Sequence, residues 1–236
     1  MLGFDSIFAM FRHYERGDML QDPAVPFLAR RNALIRYELA SFLAKDKDVL
    51  DVGCGNGYGS YMLARKAHYV IGIDKDEKAV AYAKARYKCQ NLEFDQAGAT
   101  EYLSRTDRKF DLVVMLEVIE HIVEKQTLLK MVRDSLKVNG LLILTTPNKR
   151  FTPFYRRNPY HAQELSFEGL VELLQRDFSI EKCMGQVPGQ LALVPLPYYF
   201  LLRIVHLVPC SSNMFQFNNV PGASRNIVVL ARPRTP

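Results

Sequence analysis

The stretch Asp48-Val49-Leu50-Asp51-Val52-Gly53-Cys54-Gly55-Asn56-Gly57 decides the fold of this chain. It begins with a short apolar strand and ends in a glycine cluster, where the chain turns into a helix predicted over Tyr58 to Ala67. Glycines at such a junction permit a tight turn and bring backbone N–H groups against a ligand. The N-terminus of the following helix adds further N–H donors, which suit an anionic group. The pattern therefore predicts a ligand-binding turn after the first strand.

Helical and apolar strand-length segments alternate outward from this turn. A helix is predicted over Val25 to Lys45, and Ser166 is predicted to cap a later helix that ends near Arg176. Further helices are predicted over Glu77 to Tyr87 and Ile119 to Leu136. The predicted strands are 48–52, 69–73, 92–94, 110–115, 141–145, 178–183 and 227–230. This order predicts an α/β fold: a Rossmann-like, seven-stranded, mainly parallel sheet with helices on both faces.

Length and composition indicate one globular domain over residues 1–236, with 48% hydrophobic and 24% charged residues. We expect a helical cap over 1–46 and an apolar insert over 186–224, between the last two strands. The net charge of +6 comes from scattered side chains, which favours a solvated surface over a nucleic-acid groove. The four cysteines form no Cys-x-x-Cys pair, which is typical of a reducing, cytoplasmic location.

The glycine spacing excludes the usual dinucleotide fingerprint. Gly-x-Gly-x-x-Gly would require a third glycine where Tyr58 or Ser60 stands, so a nicotinamide-dependent dehydrogenase is disfavoured. Asp74 directly follows the second predicted strand. A carboxylate at that strand tip can accept hydrogen bonds from both hydroxyls of a ribose, whereas the alternative is a turn or helix-cap residue.

An acid followed by Gly-x-Gly-x-Gly, with Asp74 after the next strand, resembles the class I S-adenosylmethionine (SAM)-dependent methyltransferases. The resemblance covers roughly residues 35–185 and implies SAM as the cofactor. Gly98-Ala99 stand where that family has an Asp-Ala pair beside adenine, and Gln96 is the candidate substitute for the missing acid. The cofactor contacts that the resemblance implies are Arg36, Tyr37, Asp51, Gly53, Cys54, Gly55, Gly57, Asp74, Lys75, Gly98, Ala99 and Leu116.

Three further motifs are similar to a small-molecule branch that includes ubiquinone-biosynthesis O-methyltransferases and enzymes of bacterial glycan pathways. They are Leu116 to His121, Thr145 to Lys149 and Asn158 to Leu165. The resemblance implies O-methylation of a small-molecule acceptor, either a sugar or glycan intermediate or a quinone- or lipid-like hydroxyl. Two alternatives are a metal-dependent RNA 2′-O-methyltransferase and a non-catalytic SAM-binding subunit.

Glu117, Glu120 and His121 are the candidate catalytic residues. They are expected on one face of a helix, at spacing i, i+3 and i+4, beside the carboxyl edge of the sheet. In one hypothesis His121 is a general base for the acceptor hydroxyl. In another, similar to small-RNA methyltransferases, all three bind Mg²⁺ or Mn²⁺ together with His161. In the third they are only solvated or hydrogen-bonded residues at the start of a helix.

The apolar segment 191–208 is the remaining feature of note. Pro195, Pro197, Arg203 and His206 interrupt it, so it falls short of a membrane span. It is expected to be a buried helix or a lid over the acceptor, or else a segment that contacts a membrane surface. In the last case the protein would be peripheral to the inner face of a membrane.

Overall fold

A computed structural model describes residues 27–150, 162–186, 217–219, 221–224 and 226–234. Three features singled out in the sequence lie outside these ranges: the first 26 residues of the cap, His161, and the apolar segment 191–208. The expected lid or membrane contact therefore stays a prediction. Each helix within the described ranges is too short or too polar to cross a lipid bilayer.

One mixed sheet organises the described chain. Its strands are β1 (Asp48–Val52), β2 (Tyr69–Asp74), β3 (Leu92–Gln96), β4 (Phe110–Leu116), β5 (Leu136–Pro147), β6 (Phe178–Gln186), β7 (Phe217–Asn218) and β8 (Asn226–Pro233). Their order across the sheet is β3-β2-β1-β4-β5-β8-β6-β7. The first five strands in sequence pair in parallel, whereas β8 is antiparallel to both β5 and β6. The predicted mainly parallel sheet is confirmed, with the two-residue β7 as an additional edge strand.

Six helices accompany the strands within the described residues. They are α1 (Phe27–Leu43), α2 (Tyr58–Ala64), α3 (Glu77–Arg86), α4 (Ala99–Arg105), α5 (Lys125–Ser135) and α6 (Phe167–Gln175). Side chains cap the N-termini of α3 and α6. Asp76 accepts hydrogen bonds from the backbone N–H groups of Lys78 and Ala79, and Ser166 accepts one from the backbone N–H of Gly169. The predicted Ser166 cap is confirmed.

Alternation along the central strands explains why both faces of the sheet are covered. Leu50 and Val113 point to one face and pack with residues of α4, α5 and α6. Val49 and Leu112 point to the other face and pack with residues of α1 and α2. These strands are buried on both sides, which is the usual setting of parallel strands.

The strand order places a crevice between β1 and β4. From β1 the chain builds outward to β2 and β3 on one side, and then returns to add β4 and β5 on the other. In open α/β sheets, ligands bind outside the carboxyl ends of the strands where the order reverses in this way. The glycine loop after β1 and the Glu117 region after β4 both lie at this edge.

The helix predicted over Ile119 to Leu136 is wrong in its bounds. A 3₁₀ turn covers Ile119–His121, and α5 begins only at Lys125. The next strand, predicted over 141–145, is longer than expected. It begins at Leu136, directly after α5, and includes Asn139 and Gly140.

Candidate cofactor site

The turn after β1 is a cradle made of backbone. Gly53, Gly55 and Gly57 have φ values of 74°, 53° and 79°, in the left-handed region that glycine adopts without a steric penalty. The N–H groups of Gly53 and Cys54 donate to the Ile73 carbonyl at 2.8 and 2.9 Å, which ties the loop to the end of β2. A Cβ added to Gly55 would meet nothing within 4 Å. Gly55 therefore lines open space in the cradle.

Asp74 lies at the end of β2, facing this loop. Its Oδ2 accepts from the Gly55 N–H at 2.9 Å, and its Oδ1 accepts from the Asp76 N–H at 2.9 Å. Each carboxylate oxygen has a second lone pair, so the group can accept two more hydrogen bonds. The structure thus brings together two elements that the sequence predicted to act together.

Asp51 lies beneath the loop rather than on its surface. The side chain is fully buried and accepts from Ser60 Oγ at 2.6 Å and from the Tyr37 hydroxyl at 3.3 Å. Burial raises the pKa of Asp51 to about 7, although the hydrogen bonds from Ser60 and Tyr37 oppose this rise. Asp51 therefore supports the cradle from below.

Arg36 and Tyr37 diverge from α1. Tyr37 turns toward Asp51, whereas the Arg36 guanidinium donates to Gln186 Oε1 at 3.1 Å and lies 3.6 Å from Glu117 Oε1. The two neighbours were predicted together as cofactor contacts. The structure places Arg36 beside the acids after β4 and Tyr37 beneath the loop.

Glu117 occupies a strained position at the end of β4. Its φ is +57°, which a non-glycine residue adopts only when its surroundings impose it. Glu117 Oε1 accepts from the Thr145 hydroxyl at 2.8 Å, and Oε2 accepts from Asn226 Nδ2 at 2.8 Å. Its side chain remains 27% exposed. Neighbouring strands thus hold one partly open carboxylate in a fixed orientation at the crevice.

Glu120 is directed into the protein instead. Its side chain is 1% exposed and accepts from the Thr146 hydroxyl at 3.1 Å. Burial raises the pKa of this carboxyl well above its ordinary value, and the negative charge of Glu117 adds to the rise. The expectation that Glu117, Glu120 and His121 share one helix face is wrong, because Glu117 precedes the 3₁₀ turn and Glu120 points to the core.

The predicted metal site is not formed by the residues that the structure describes. No group of three or more His, Cys, Asp or Glu side chains in the described ranges is arranged to hold a metal ion. Glu117, Glu120 and His121 were predicted to share one, but the Glu120 carboxyl is 1% exposed and bonded to Thr146, whereas the Glu117 side chain is 27% exposed. His161, the fourth predicted ligand, lies outside the described residues.

The other predicted cofactor contacts surround the same edge of the sheet. Lys75 follows Asp74 and its carbonyl accepts from Gln96 Nε2 at 3.3 Å, while the Gly98 N–H donates to Glu101 at the start of α4. Cys54 is buried in the loop, and burial raises the pKa of its thiol. Ala99 begins α4 and Leu116 ends β4.

Two surface clefts lie away from this edge. One of about 390 Å³ is lined by Asp48, Tyr69 and Phe110, at the amino ends of their strands. Another of about 260 Å³ lies beside β3 and α4, between Asp95 and Arg105, which form an ion pair at 2.7 Å. Neither contains a residue of the glycine loop. Both clefts are therefore separate from the glycine loop, beside which the predicted site residues lie.

Comparison with known proteins decides the family. A family model described as a methyltransferase domain matches residues 43–188, which contain the loop, Asp74 and the acids after β4. The chain belongs to this methyltransferase-domain family. Membership of the SAM-dependent methyltransferases and the Rossmann-like fold, both predicted from the sequence, are confirmed.

Named relatives agree with this assignment. A Mycolicibacterium smegmatis protein named Probable S-adenosylmethionine-dependent methyltransferase is 33% identical over 177 residues, which are 70% of this chain and 66% of the relative. A ubiquinone biosynthesis O-methyltransferase of Coxiella burnetii is 31% identical over 121 residues, 51% of this chain and 52% of that protein. The chain thus spans between about half and two thirds of the length of these curated relatives.

Solved structures share the fold at low identity. The N-methyltransferase NodS from Bradyrhizobium japonicum, in complex with S-adenosylhomocysteine, superimposes with a TM-score of 0.62 at 16% identity and covers 96% of this chain and 97% of its own. The [4+2]-cyclase SpnF also gives a TM-score of 0.62, at 19% identity, covering 88% of this chain and 83% of its own. One fold thus occurs in proteins named for different reactions, so the acceptor has to be argued from the site itself.

The glycine loop and Asp74 offer two features that suit the nucleoside of SAM. The cradle is open at Gly55, and the Asp74 carboxylate beside it has acceptor capacity left for ribose hydroxyls. Asp74, Gly53, Gly55 and Gly57 are therefore the residues that would hold the nucleoside. The residues present fit the cofactor that the family implies.

Several residues of the site were missed in the sequence. Thr145, Thr146 and Asn226 fix the two acids, and Asn148 Nδ2 lies 3.1 Å from the Ser224 carbonyl in the turn before β8. Gly59 was missed as well, although it lies against the Tyr37 ring. In the sequence, only the Thr145 to Lys149 motif pointed to any of these residues. That motif did not indicate which side chains they would contact.

Two glycines of the loop should respond differently to alanine. Gly57→Ala puts a Cβ 2.6 Å from Ala83 Cβ and 2.7 Å from Phe94 Cζ, in addition to the left-handed strain. We expect a loss of about 3 kcal/mol in the free energy of unfolding, from strain plus overpacking. Gly55→Ala carries the strain alone, about 1 kcal/mol, but fills the cradle and weakens cofactor binding. Urea unfolding with ligand titration measures both, and equal destabilisation would contradict the assignment of Gly55 to the open face.

Proposed function

We propose that this protein is a SAM-dependent methyltransferase that transfers a methyl group to a hydroxyl of a small-molecule acceptor, with Glu117 as the proton-accepting group. The acceptor class is a sugar or glycan intermediate, or a quinone- or lipid-like molecule. The observation that carries the proposal is the fixed, partly exposed Glu117 carboxylate on the opposite side of the crevice from Asp74 and the glycine loop. The relative named as a ubiquinone biosynthesis O-methyltransferase supports a hydroxyl acceptor.

In this proposal, different residues bind the cofactor and accept the proton of the acceptor. When bound, SAM supplies a methyl group on a sulfonium, an activated electrophile that requires little covalent help from a protein. Asp74 and the loop hold and orient the nucleoside end. Glu117 accepts the proton of the acceptor hydroxyl, and the Arg36 guanidinium, which is 13% exposed and lies 3.6 Å from Glu117 Oε1, helps to hold the carboxylate in place.

Glu117 fits this role better than the other two candidates. The Glu120 carboxyl is buried, and burial raises its pKa well above the ordinary value, so this side chain is covered from an acceptor in the crevice. His121 is half-buried at the end of the 3₁₀ turn and remains the second candidate for the base. Variants of Glu117 and His121 distinguish which of the two is the base.

Ligand binding and methyl transfer test the proposal in sequence. Calorimetry of the purified protein with S-adenosylhomocysteine should give saturable binding, and its absence would exclude the function. Transfer of tritiated methyl from SAM is then measured on a panel of sugars, catechols, quinols and short RNA, with and without EDTA. We expect EDTA-insensitive labelling of a small hydroxyl compound. Labelling of RNA alone would replace this proposal with the RNA alternative.

A further inference from the structure

Tyr37, on α1, contacts residues on both sides of the glycine loop. Its side chain is 6% exposed, and its hydroxyl lies 3.3 Å from each oxygen of the Asp51 carboxylate. A Cβ added to Gly59 would lie 2.0 Å from Tyr37 Cζ, so the ring rests directly on the backbone of α2. One side chain of α1 thus contacts the acid before the loop and the helix after it.

Ser60 completes this arrangement from α2. Its hydroxyl donates to Asp51 Oδ2 at 2.6 Å and occupies the space above Gly72, where an added Cβ would lie 2.5 Å from Ser60 Oγ. Asp51 is therefore held by hydroxyl groups from two different helices. The loop from Gly53 to Gly57 connects the strand that carries Asp51 to the helix that carries Ser60.

We propose that Tyr37 is a positioning residue of the cofactor site, through which α1 fixes both the shape of the glycine loop and the Asp51 carboxylate beneath it. The inference rests on the proposed function, because it takes SAM as the ligand of the loop. Tyr37 was predicted from the sequence as a cofactor contact. In this inference it acts through Asp51 and Gly59 instead.

The groups that face Asp51 determine how its charge responds to Tyr37. They are Tyr37 from α1, Cys54 from the loop, Ser60 from α2 and Asp74 from β2. Burial raises the pKa values of Tyr37 and Cys54, so both are neutral near pH 7, and Asp74 supplies the nearby negative charge. The Tyr37 hydrogen bond lowers the pKa of Asp51, so its removal shifts Asp51 toward the neutral acid.

This arrangement predicts a pH-dependent cofactor affinity. SAM carries a sulfonium, an ammonium and a carboxylate group and is a net cation near neutral pH, so its binding favours the ionised form of Asp51. The pKa of Asp51 in the protein is about 7, so affinity should rise as the pH increases through that value. Without the Tyr37 hydroxyl the rise should come at higher pH.

The test is the dissociation constant of SAM, measured by calorimetry at about pH 6, 7 and 9. Tyr37→Phe keeps the ring against Gly59 and removes only the hydroxyl. We expect affinity to fall about tenfold near pH 7 and to approach the wild-type value near pH 9, where Asp51 is ionised in both proteins. Ser60→Ala removes the other hydrogen bond and should show the same pattern. Tyr102→Phe, a matched change at a tyrosine that is also 6% exposed but lies on α4, should show no such shift.

The outcomes separate this inference from the proposed function. If wild-type protein binds no SAM at any pH, both are overturned. If wild-type protein binds and Tyr37→Phe binds equally well, or more weakly by the same factor at every pH, only the inference fails. Thermal unfolding of each variant at the same pH values shows whether a loss of affinity reflects loss of the fold.

Discussion

Replacing Asp74 with alanine should reduce the affinity for S-adenosylhomocysteine by about 100-fold or more, because two charge-assisted hydrogen bonds are each worth about 1.5 kcal/mol or more. Asp74 is the carboxylate that faces the cradle with acceptor capacity left on both oxygens. The variant also loses the bond from the Gly55 N–H, which helps to fix the loop. Calorimetric titration of wild-type and variant protein measures the difference.

A neighbouring acid provides the control for this prediction. Asp76 accepts hydrogen bonds from the first turn of α3, so Asp76→Ala should lower the free energy of unfolding by about 1 kcal/mol. Its effect on affinity should stay within about threefold, because it is a helix cap rather than the acid that faces the loop. If Asp74→Ala kept wild-type affinity, the assigned orientation of the ligand would be wrong.

The cofactor side of the crevice could be predicted from the sequence because its determinants are local. Gly53, Gly55 and Gly57 adopt positive φ values that only glycine adopts readily, and such a requirement is visible in the residue type itself. Asp74 directly ends a buried strand, and parallel pairing of β1 with β2 brings that end to the loop. Pattern and short-range geometry were therefore sufficient.

The acceptor side could not be predicted because its contacts are long-range. Glu117 is held by Asn226, which is 109 residues away in sequence, and by Thr145, 28 residues away. Those bonds, with the left-handed backbone of Glu117, fix the acid before the 3₁₀ turn. The pattern from Glu117 to His121 is compatible with a helix, so periodicity alone predicted one face for three side chains that the fold separates.

This contrast explains why the sequence was sufficient to assign the family, whereas the class of acceptor is a proposal. In the proposed function the loop and Asp74 hold the nucleoside of SAM, and both lie within the residues that the family model matches. In the proposed function the acceptor side is formed by Glu117, Arg36 and Asn226, which come from three elements distant in sequence. Structures that share the fold belong to an N-methyltransferase and a [4+2]-cyclase, so the fold alone does not determine the reaction.

Glu117→Gln should lower kcat by about 100-fold or more, because removal of a positioned general base typically costs two to four orders of magnitude. The amide can keep the hydrogen bonds to Thr145 and Asn226 in one of its orientations, so the side chain stays in place while it loses its basicity. The Arg36 guanidinium loses its charge partner, so some loss of stability is also expected. Transfer of tritiated methyl to the acceptor found in the panel measures kcat, and S-adenosylhomocysteine binding confirms that the site is intact.

Two companion variants make this prediction decisive. Glu120→Gln replaces a carboxyl that is 1% exposed and so cannot reach an acceptor in the crevice, and its loss in kcat should stay within about tenfold. His121→Asn tests the alternative base under the same conditions. A loss in His121→Asn with near-normal turnover in Glu117→Gln would transfer the role to the imidazole. Equal losses in Glu117→Gln and Glu120→Gln would mean that the two carboxyls act as one unit. The assignment of Glu117 as the exposed base and Glu120 as a buried, supporting side chain would then be wrong, because it depends on their different burial.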